Sequence, residues 1–286
     1  MKTGSAIREP AVAGWFYPRD TRELASMVDT FIGGDAATRA SSTTRMLLAP
    51  HAGYPYSGAI AGRGFARVRA GGTPSRAFII GPSHVEAFDY TSVFAGSAYR
   101  TPLGALAVDR DAALALAQGA GTIRLSGAGH DLPSHGRGEH GIEVELPFLQ
   151  RCFGDVTIVP VVMGRPSWDA CEELGRAIAA QADWSRDIVI ASSDLSHFYD
   201  DATARALDGV FCDTLATLDA RALHERLARR ECEACGAGPV VAGLIATEAL
   251  RDRACELVST GNSGDVSDDR SSVVGYASAV VTGSAA

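Results

Sequence analysis

The sequence predicts an α/β fold: a central, largely parallel or mixed sheet flanked by helices. Three observations carry this expectation. Apolar, strand-like runs alternate with helical patterns along the 286-residue chain, the signature of the α/β class. "RDIVIASSD" is continuously apolar until its polar end, as a parallel strand covered on both faces should be. "RMLLAP" and "RAFIIGP" are also buried-strand runs, and both are followed by a histidine. Polar groups just past the carboxyl ends of strands gather where open α/β sheets bind ligands.

The elements follow in order. "VAGWFYP" is aromatic and irregular, and Trp15, Phe16 and Tyr17 are expected to pin residues 1–19 to the body of the fold. Asp20 and Glu23 have capping-box spacing. Leu24, Met27, Val28 and Phe31 then form an apolar face of helical period, ended by Gly33 and Gly34. "RMLLAP" is a strand and "SGAIAGRGFARV" a helix, and "RAFIIGPSH" repeats the strand-then-histidine design. "TSVFAG" and "GALAVD" read as a strand pair, and "DRDAALALAQ" as a helix with an acidic cap. Gly119 to Gly138 reads as a glycine-rich polar loop. "HGIEVELPFLQRCF" is apolar at Ile142, Leu146 and Leu149, which suits a helix that tolerates Pro147 in its first turns. "DVTIVPVVMG" is a strand, and "SWDACEELGRAIAAQA" a helix with Cys171, Leu174 and Ile178 on one face. After "RDIVIASSD", helices fill most of Asp201 to Arg251, and "SSVVGYASAVV" closes the chain as a strand. The whole chain, 1–286, is expected to form one domain with residues 283–286 frayed.

Composition narrows the function. The chain is 46% hydrophobic and 21% charged, with a formal charge of −8. An acidic surface disfavours a nucleic-acid partner, whose binding needs positive charge. No run reaches the roughly 18 apolar residues that span a bilayer, and the start lacks a signal-like apolar segment, so no membrane partner and a cytoplasmic location are expected. The six cysteines do not form a disulfide scaffold. Cys152, Cys171 and Cys212 lie in apolar or helical patterns, where cysteine acts as a small hydrophobe. Cys232 and Cys235 make the one C-x-x-C, with no second pair to complete a zinc ribbon.

The groups that could do chemistry sit at strand ends: His51, His84, and Asp194 with His197. His140 joins them from "GEHGIEVELPF", flanked by Glu139 and followed by Glu143 and Glu145. If the three strands are parallel neighbours, these side chains converge. Imidazoles suit iron, zinc and copper and also serve as general acids or bases, and Asp194 could orient one of them. His130, His135 and His224 are read as solvated. No H-E-x-x-H, G-x-S-x-G, P-loop or dinucleotide fingerprint is present.

"VAGWFYP", "APHAGYPYSG", "GPSH", "EHGIEVELPFL", "SSDLSHF" and a late cysteine before a helix, in this order, resemble the MEMO family, which includes the AmmeMemoRadiSam system protein B group. The resemblance runs from about Val12 to Val281. It implies a fold similar to the class III extradiol dioxygenases, whose non-haem iron sits at a sheet edge. By motif, the metal-ligand places fall on His51, His84 and Cys235. Asp194 and His197 take the "SSDLSH" places, and His140 the "EHGIE" place. A thiolate in place of the dioxygenase carboxylate is softer. It leaves copper or zinc open beside Fe(II) and weighs against ring-cleaving chemistry.

Three functions are consistent with these residues. The first is a metal-dependent oxidoreductase that uses non-haem Fe(II), copper or zinc on a small substrate. His140 or His197 would carry protons, Asp194 would fix an imidazole, and Tyr54 and Tyr56 would wall the pocket. The second is a module that binds a peptide or sequesters a redox metal without turnover, since a shared fold does not carry chemistry. The third is an accessory partner in a radical-SAM modification system, which the family name implies. The chain lacks the C-x3-C-x2-C cluster motif of the radical enzyme itself. Oligomeric state is open.

Overall fold

The computed structural model describes residues 6–33, 43–119, 121–131 and 138–285. The strands are β1 (Ile7–Arg8), β2 (Thr44–Ala49), β3 (Arg76–Pro82), β4 (Thr91–Val93), β5 (Ala98–Thr101), β6 (Gly104–Ala107), β7 (Ile123–Leu125), β8 (Thr157–Met163), β9 (Asp187–Ser192), β10 (His197–Tyr199), β11 (Arg251–Asn262) and β12 (Val273–Ser284). The helices are α1 (Thr21–Ile32), α2 (Tyr54–Gly71), α3 (Arg110–Leu116), α4 (Leu146–Phe153), α5 (Trp168–Gln181), α6 (Asp201–Ala216), α7 (Ala220–Ala228) and α8 (Ala237–Thr247), with a 3₁₀ turn at Glu143–Glu145.

Among the described residues nine strands form one mixed sheet in the order β10-β12-β2-β9-β3-β8-β4-β7, with β11 on the far edge of β12. Its centre is parallel: β2 on β9, β9 on β3, and β3 on β8. The three strands that end in histidine or aspartate are therefore neighbours running the same way. Their side chains alternate between two cores, as a period of two requires. Met46, Leu48, Phe78, Ile80 and Val189 pack on one face with α5 and α8. Leu47, Ala49, Ile79, Ile188 and Ile190 pack on the other with α1, α2 and α4. Both faces are covered, so these strands read as unbroken apolar runs.

Local chemistry sets the helix ends. Asp20 caps α1 by accepting from the Arg22 and Glu23 backbone N–H groups. Helix α1 lies close on α2 because Gly58 and Gly62 present no side chain to Phe31. A Cβ on Gly62 would fall 2.5 Å from the Phe31 carbonyl.

Several local expectations are corrected. "TSVFAG" and "GALAVD" do not pair. Strand β4 joins the main sheet against β8 and β7, while β6 folds back on β5. The tight turn Thr101–Gly104, with Gly104 at φ 123°, makes the nearer strand the partner, and β1 completes that three-stranded sheet. The Gly119–Gly138 loop contains β7. The long strand β11 escaped notice because most of it is exposed and polar, so it lacks an apolar alternation. The closing strand extends through Ser284, which pairs with Arg251. Among the described residues no helix is long and apolar enough to cross a membrane.

Candidate functional site

The parallel neighbours β2, β9 and β3 bring their carboxyl ends to one edge of the sheet. His51 follows β2 and is 1% exposed. Its backbone N–H donates to Asp194 Oδ1 at 2.8 Å. Its ring Nδ1 lies 2.8 Å from Ser192 Oγ, at the end of β9. Its Nε2 lies 3.2 Å from Cys235 Sγ. His84 follows β3, and its ring Nδ1–H donates to Glu139 Oε1 at 2.9 Å, while its backbone N–H donates to the other oxygen of the same carboxylate. His140, next to Glu139, stacks on His84 with ring centroids 4.7 Å apart. Its other side meets Phe16, also at 4.7 Å. The His51 ring stands edge-on to both, at 5.1 Å from His84 and 5.4 Å from His140.

His51, His84 and His140 form a cluster in which one ligand atom from each lies within 4.8 Å of the others. Cys235, assigned by motif to the third ligand place, is outside that group. It touches only His51 among these imidazoles, and its sulfur accepts from the Asp194 N–H at 3.2 Å. His140, expected as a proton carrier, stands within this three-imidazole group.

The remaining candidates divide. Asp194 is buried and holds the backbone of His51 in place. His197 is half-buried, with Nδ1 2.7 Å from the Leu195 carbonyl, and lies outside the three-imidazole group. Tyr54 belongs to the core: it packs on Tyr17, Phe31 and Phe148, and its hydroxyl donates to the Val144 carbonyl. Tyr56 is 47% exposed on α2. Cys232 and Cys235 are both free thiols. A cavity of about 460 Å³ opens beside Cys235, lined by His197, Leu227, Arg230, Cys232 and Glu233.

Burial and charge set the protonation. Burial, reinforced by the neighbouring imidazoles, holds His51 well below the usual histidine range, and burial brings His140 down to about 4. Burial also acts downward on His84, but the hydrogen bond and charge of Glu139 outweigh it and the net direction is up. Burial alone would raise Glu139, yet its bonds to His84 bring it below the ordinary carboxylate range. Burial lifts Asp194 to about 7 against the opposing hydrogen bond from His51. Burial, then the charge of Asp194, pushes the Cys235 thiol up. At neutral pH His51 and His140 are therefore neutral imidazoles beside an un-ionised thiol, while Glu139 favours the protonated form of His84.

Several supporting residues carried too little signal to be read in advance. In the sequence Glu139 is marked only by its place beside His140, and Ser192 only as a polar strand end. Glu143 is fully buried. It accepts from Arg8, from the Ala11 N–H at 2.7 Å, the Val12 N–H at 3.0 Å and the Tyr17 hydroxyl at 2.5 Å. This ties the N-terminal segment to the turn that follows His140. Tyr17 and Phe16 thus pin that segment as expected, but Trp15 is 61% exposed. His130 is not solvated: it is fully buried, accepts at Nδ1 from the Tyr99 hydroxyl and donates from Nε2 to the Ser92 carbonyl. A buried turn gives it both partners, which a loop reading from glycine content could not foresee. His224 is half-buried against Trp168, and His135 lies outside the described residues.

A family profile described as "Memo-like protein" matches residues 8–280. A MEMO1 family protein of Methanobrevibacter smithii is 36% identical over 293 residues, covering 96% of this chain and 99% of that one. A MEMO1 family protein of Thermotoga petrophila is 36% identical over 284 residues, covering 96% and 99%. An uncharacterized protein of Escherichia coli K12 shares the fold, with a TM-score of 0.51 over 84% of this chain and 100% of that one at 15% identity. With the sheet, the motifs and full-length relatives in agreement, the chain belongs to the Memo-like family.

Proposed function

We propose that this protein binds a transition-metal ion through His51, His84 and His140, and that the centre serves redox or Lewis-acid chemistry on a small molecule. The observation that carries this reading is the group of three imidazoles with ligand atoms within 4.8 Å of one another. Two of the rings are tied back through Nδ1, by Ser192 and Glu139, which leaves their Nε2 atoms free to converge. A carboxylate behind a ligand histidine is the usual device for orienting it and raising its basicity.

The donors fit such an ion. Nitrogen–metal bonds of about 2.0–2.1 Å put neighbouring ligand atoms roughly 3.3 Å apart in a tetrahedral site, so small side-chain rotations close the cluster. Imidazole sets accept zinc, copper and iron. When bound, the ion would supply a Lewis-acidic or redox-active centre with open positions. The chain's own contribution is to hold His51 and His140 neutral and to fix His84 against Glu139. Asp194, raised to about 7, is placed to exchange a proton near neutral pH.

One observation favours a second ligand set. Cys235 Sγ is 3.2 Å from His51 Nε2, close enough for both to share one ion. In that case His51, His84 and Cys235 would bind, and His140 would carry protons.

Single-site variants separate the readings. Metal content after anaerobic loading with Fe(II) or Zn(II), and titration calorimetry, should show binding lost in H51A and H84A under either set. Loss in H140A with retention in C235A supports the three-imidazole set, and the reverse supports the thiolate set. Full binding in both H51A and H84A rejects the metal reading. Oxygen uptake by the Fe(II)-loaded protein with and without candidate catechols then distinguishes turnover from sequestration.

A further inference from the structure

Ser192 Oγ has three polar neighbours: the Gly141 carbonyl at 2.6 Å, His51 Nδ1 at 2.8 Å and Glu145 Oε1 at 2.9 Å. A hydroxyl owns one proton and two lone pairs. The Gly141 carbonyl can only accept, and its contact is the shortest of the three, so the Ser192 proton belongs there. Ser192 is then left with two lone pairs facing two atoms, both of which must donate. His51 must carry its proton on Nδ1, and Glu145 must carry one on Oε1.

We propose that Glu145 is a neutral carboxylic acid that, through Ser192, positions His51 as the Nδ1–H tautomer with its Nε2 lone pair directed at the site. The importance of Nε2 rests on the metal reading above; the proton arrangement does not.

The surroundings agree. Glu145 is fully buried in the 3₁₀ turn, and among the described residues it forms no ion pair. Its second oxygen has no hydrogen-bond partner among the described residues. That is tolerable for the carbonyl of an acid but severe for an ionised carboxylate. Burial and the nearby charge of Asp194 both raise its proton affinity, against the opposing Ser192 bond. With the hydroxyl proton pinned on Gly141, the Cys235 thiol is the group that can donate to His51 Nε2, across 3.2 Å. An ionised Glu145 would instead compete for the Ser192 proton and free His51 to switch tautomer.

The test uses the metal-free protein first. The infrared spectrum of the wild type minus that of E145Q should show a carboxylic-acid carbonyl band, and long-range ¹H–¹⁵N spectra should show His51 as Nδ1–H. In S192A, which removes the acceptor, the Nε2–H form should become populated. A carboxylate band in place of the acid band, or wild-type His51 protonated at Nε2, overturns the proposal. With Zn(II) as probe, E145Q, whose amide can still donate to Ser192, should bind within about threefold of wild type, whereas E145L should lose about tenfold or more, as for other outer-shell partners. Equal affinity in wild type and E145L overturns the positioning role. Because the infrared and tautomer readouts need no metal, their outcome is independent of whether H51A abolishes binding.

Discussion

Replacing Glu143 by glutamine should destabilise the protein by at least about 3 kcal/mol. The Glu143 side chain is 0% exposed and that of Arg8 is 3% exposed. One carboxylate answers four donors: the Arg8 guanidinium, two backbone N–H groups and the Tyr17 hydroxyl. In Glu143→Gln the amide keeps one oxygen and turns an NH₂ toward groups that also donate. Among the described residues Arg8 then keeps the Glu139 and His130 carbonyls and the Tyr99 ring, none of which balances its charge away from water. Removing one member of such a pair costs about 3–5 kcal/mol. At roughly 2–4 °C per kcal/mol for a chain of this size, Tm should fall by about 6 °C or more. Guanidinium unfolding of the metal-free variant at pH 7 measures the loss, and the double variant R8M/E143Q tests its cause. With the lone charge also removed, the double variant should cost less than the two single changes added together, by about 0.5–3 kcal/mol. A midpoint for E143Q within about 1 kcal/mol of wild type, or strict additivity in the double variant, would refute the assignment of Glu143 as the counter-charge that holds the N-terminal segment.

Two further predictions follow from packing and titration. Gly62→Ala would improve intrinsic helix propensity by about 1 kcal/mol, yet it should destabilise by about 1–3 kcal/mol, because its Cβ would meet the Phe31 backbone at 2.5 Å; thermal melting decides the sign. His130 is held neutral by burial, with its pKa brought from 6.5 down to about 4. Between those values the unfolded chain binds the proton and the folded chain does not, so stability rises with pH across this window and is lost as pH falls. At about 1.4 kcal/mol per pH unit, the wild type should lose ~3 kcal/mol more than His130→Gln between pH 6.5 and 4. Asp194, raised to about 7, contributes the opposite slope to both proteins and cancels in the comparison. Parallel pH–stability curves would show that the folded His130 site admits the proton.

The sheet was legible because its central strands are covered on both faces. Runs such as Phe78–Ile80 and Val189–Ala191 need no alternation, and a strand end that turns polar marks the open edge. That marked β2, β3 and β9 as buried strands with His51, His84 and Asp194 at their polar ends; that they are parallel neighbours is given by the sheet order. Short strands were less legible. Thr91–Val93 and Gly104–Ala107 each bury too few residues to encode a partner, so pairing was decided by the turn at Gly104 and by the free edge of β8. The supporting groups of the site left almost no trace in the sequence. Glu139, Ser192 and Glu143 are ordinary polar residues until the fold removes them from water. His130 looked like a loop residue because its partners, Tyr99 and the Ser92 carbonyl, lie far from it in the chain.

The contrast between His140 and Cys235 turns on protons rather than on distance alone. His140 is neutral above about pH 4 and can offer a lone pair without giving anything up. Cys235 holds its proton firmly, because burial and Asp194 both oppose a thiolate. It can ligate only if the incoming cation compensates that cost, and a coordinated thiol is indeed deprotonated outright. On the proposed metal reading, the position of its sulfur 3.2 Å from His51 Nε2 would make it a ligand in reserve. A hard or borderline ion in modest excess would settle among the three imidazoles, while a soft ion that rewards sulfur would draw Cys235 in and release its proton. On this argument the ligand set depends on the metal. The H140A and C235A variants should then rank differently with Fe(II) and with Cu(I), and the same ranking for both ions would mean that geometry, not proton cost, makes the choice.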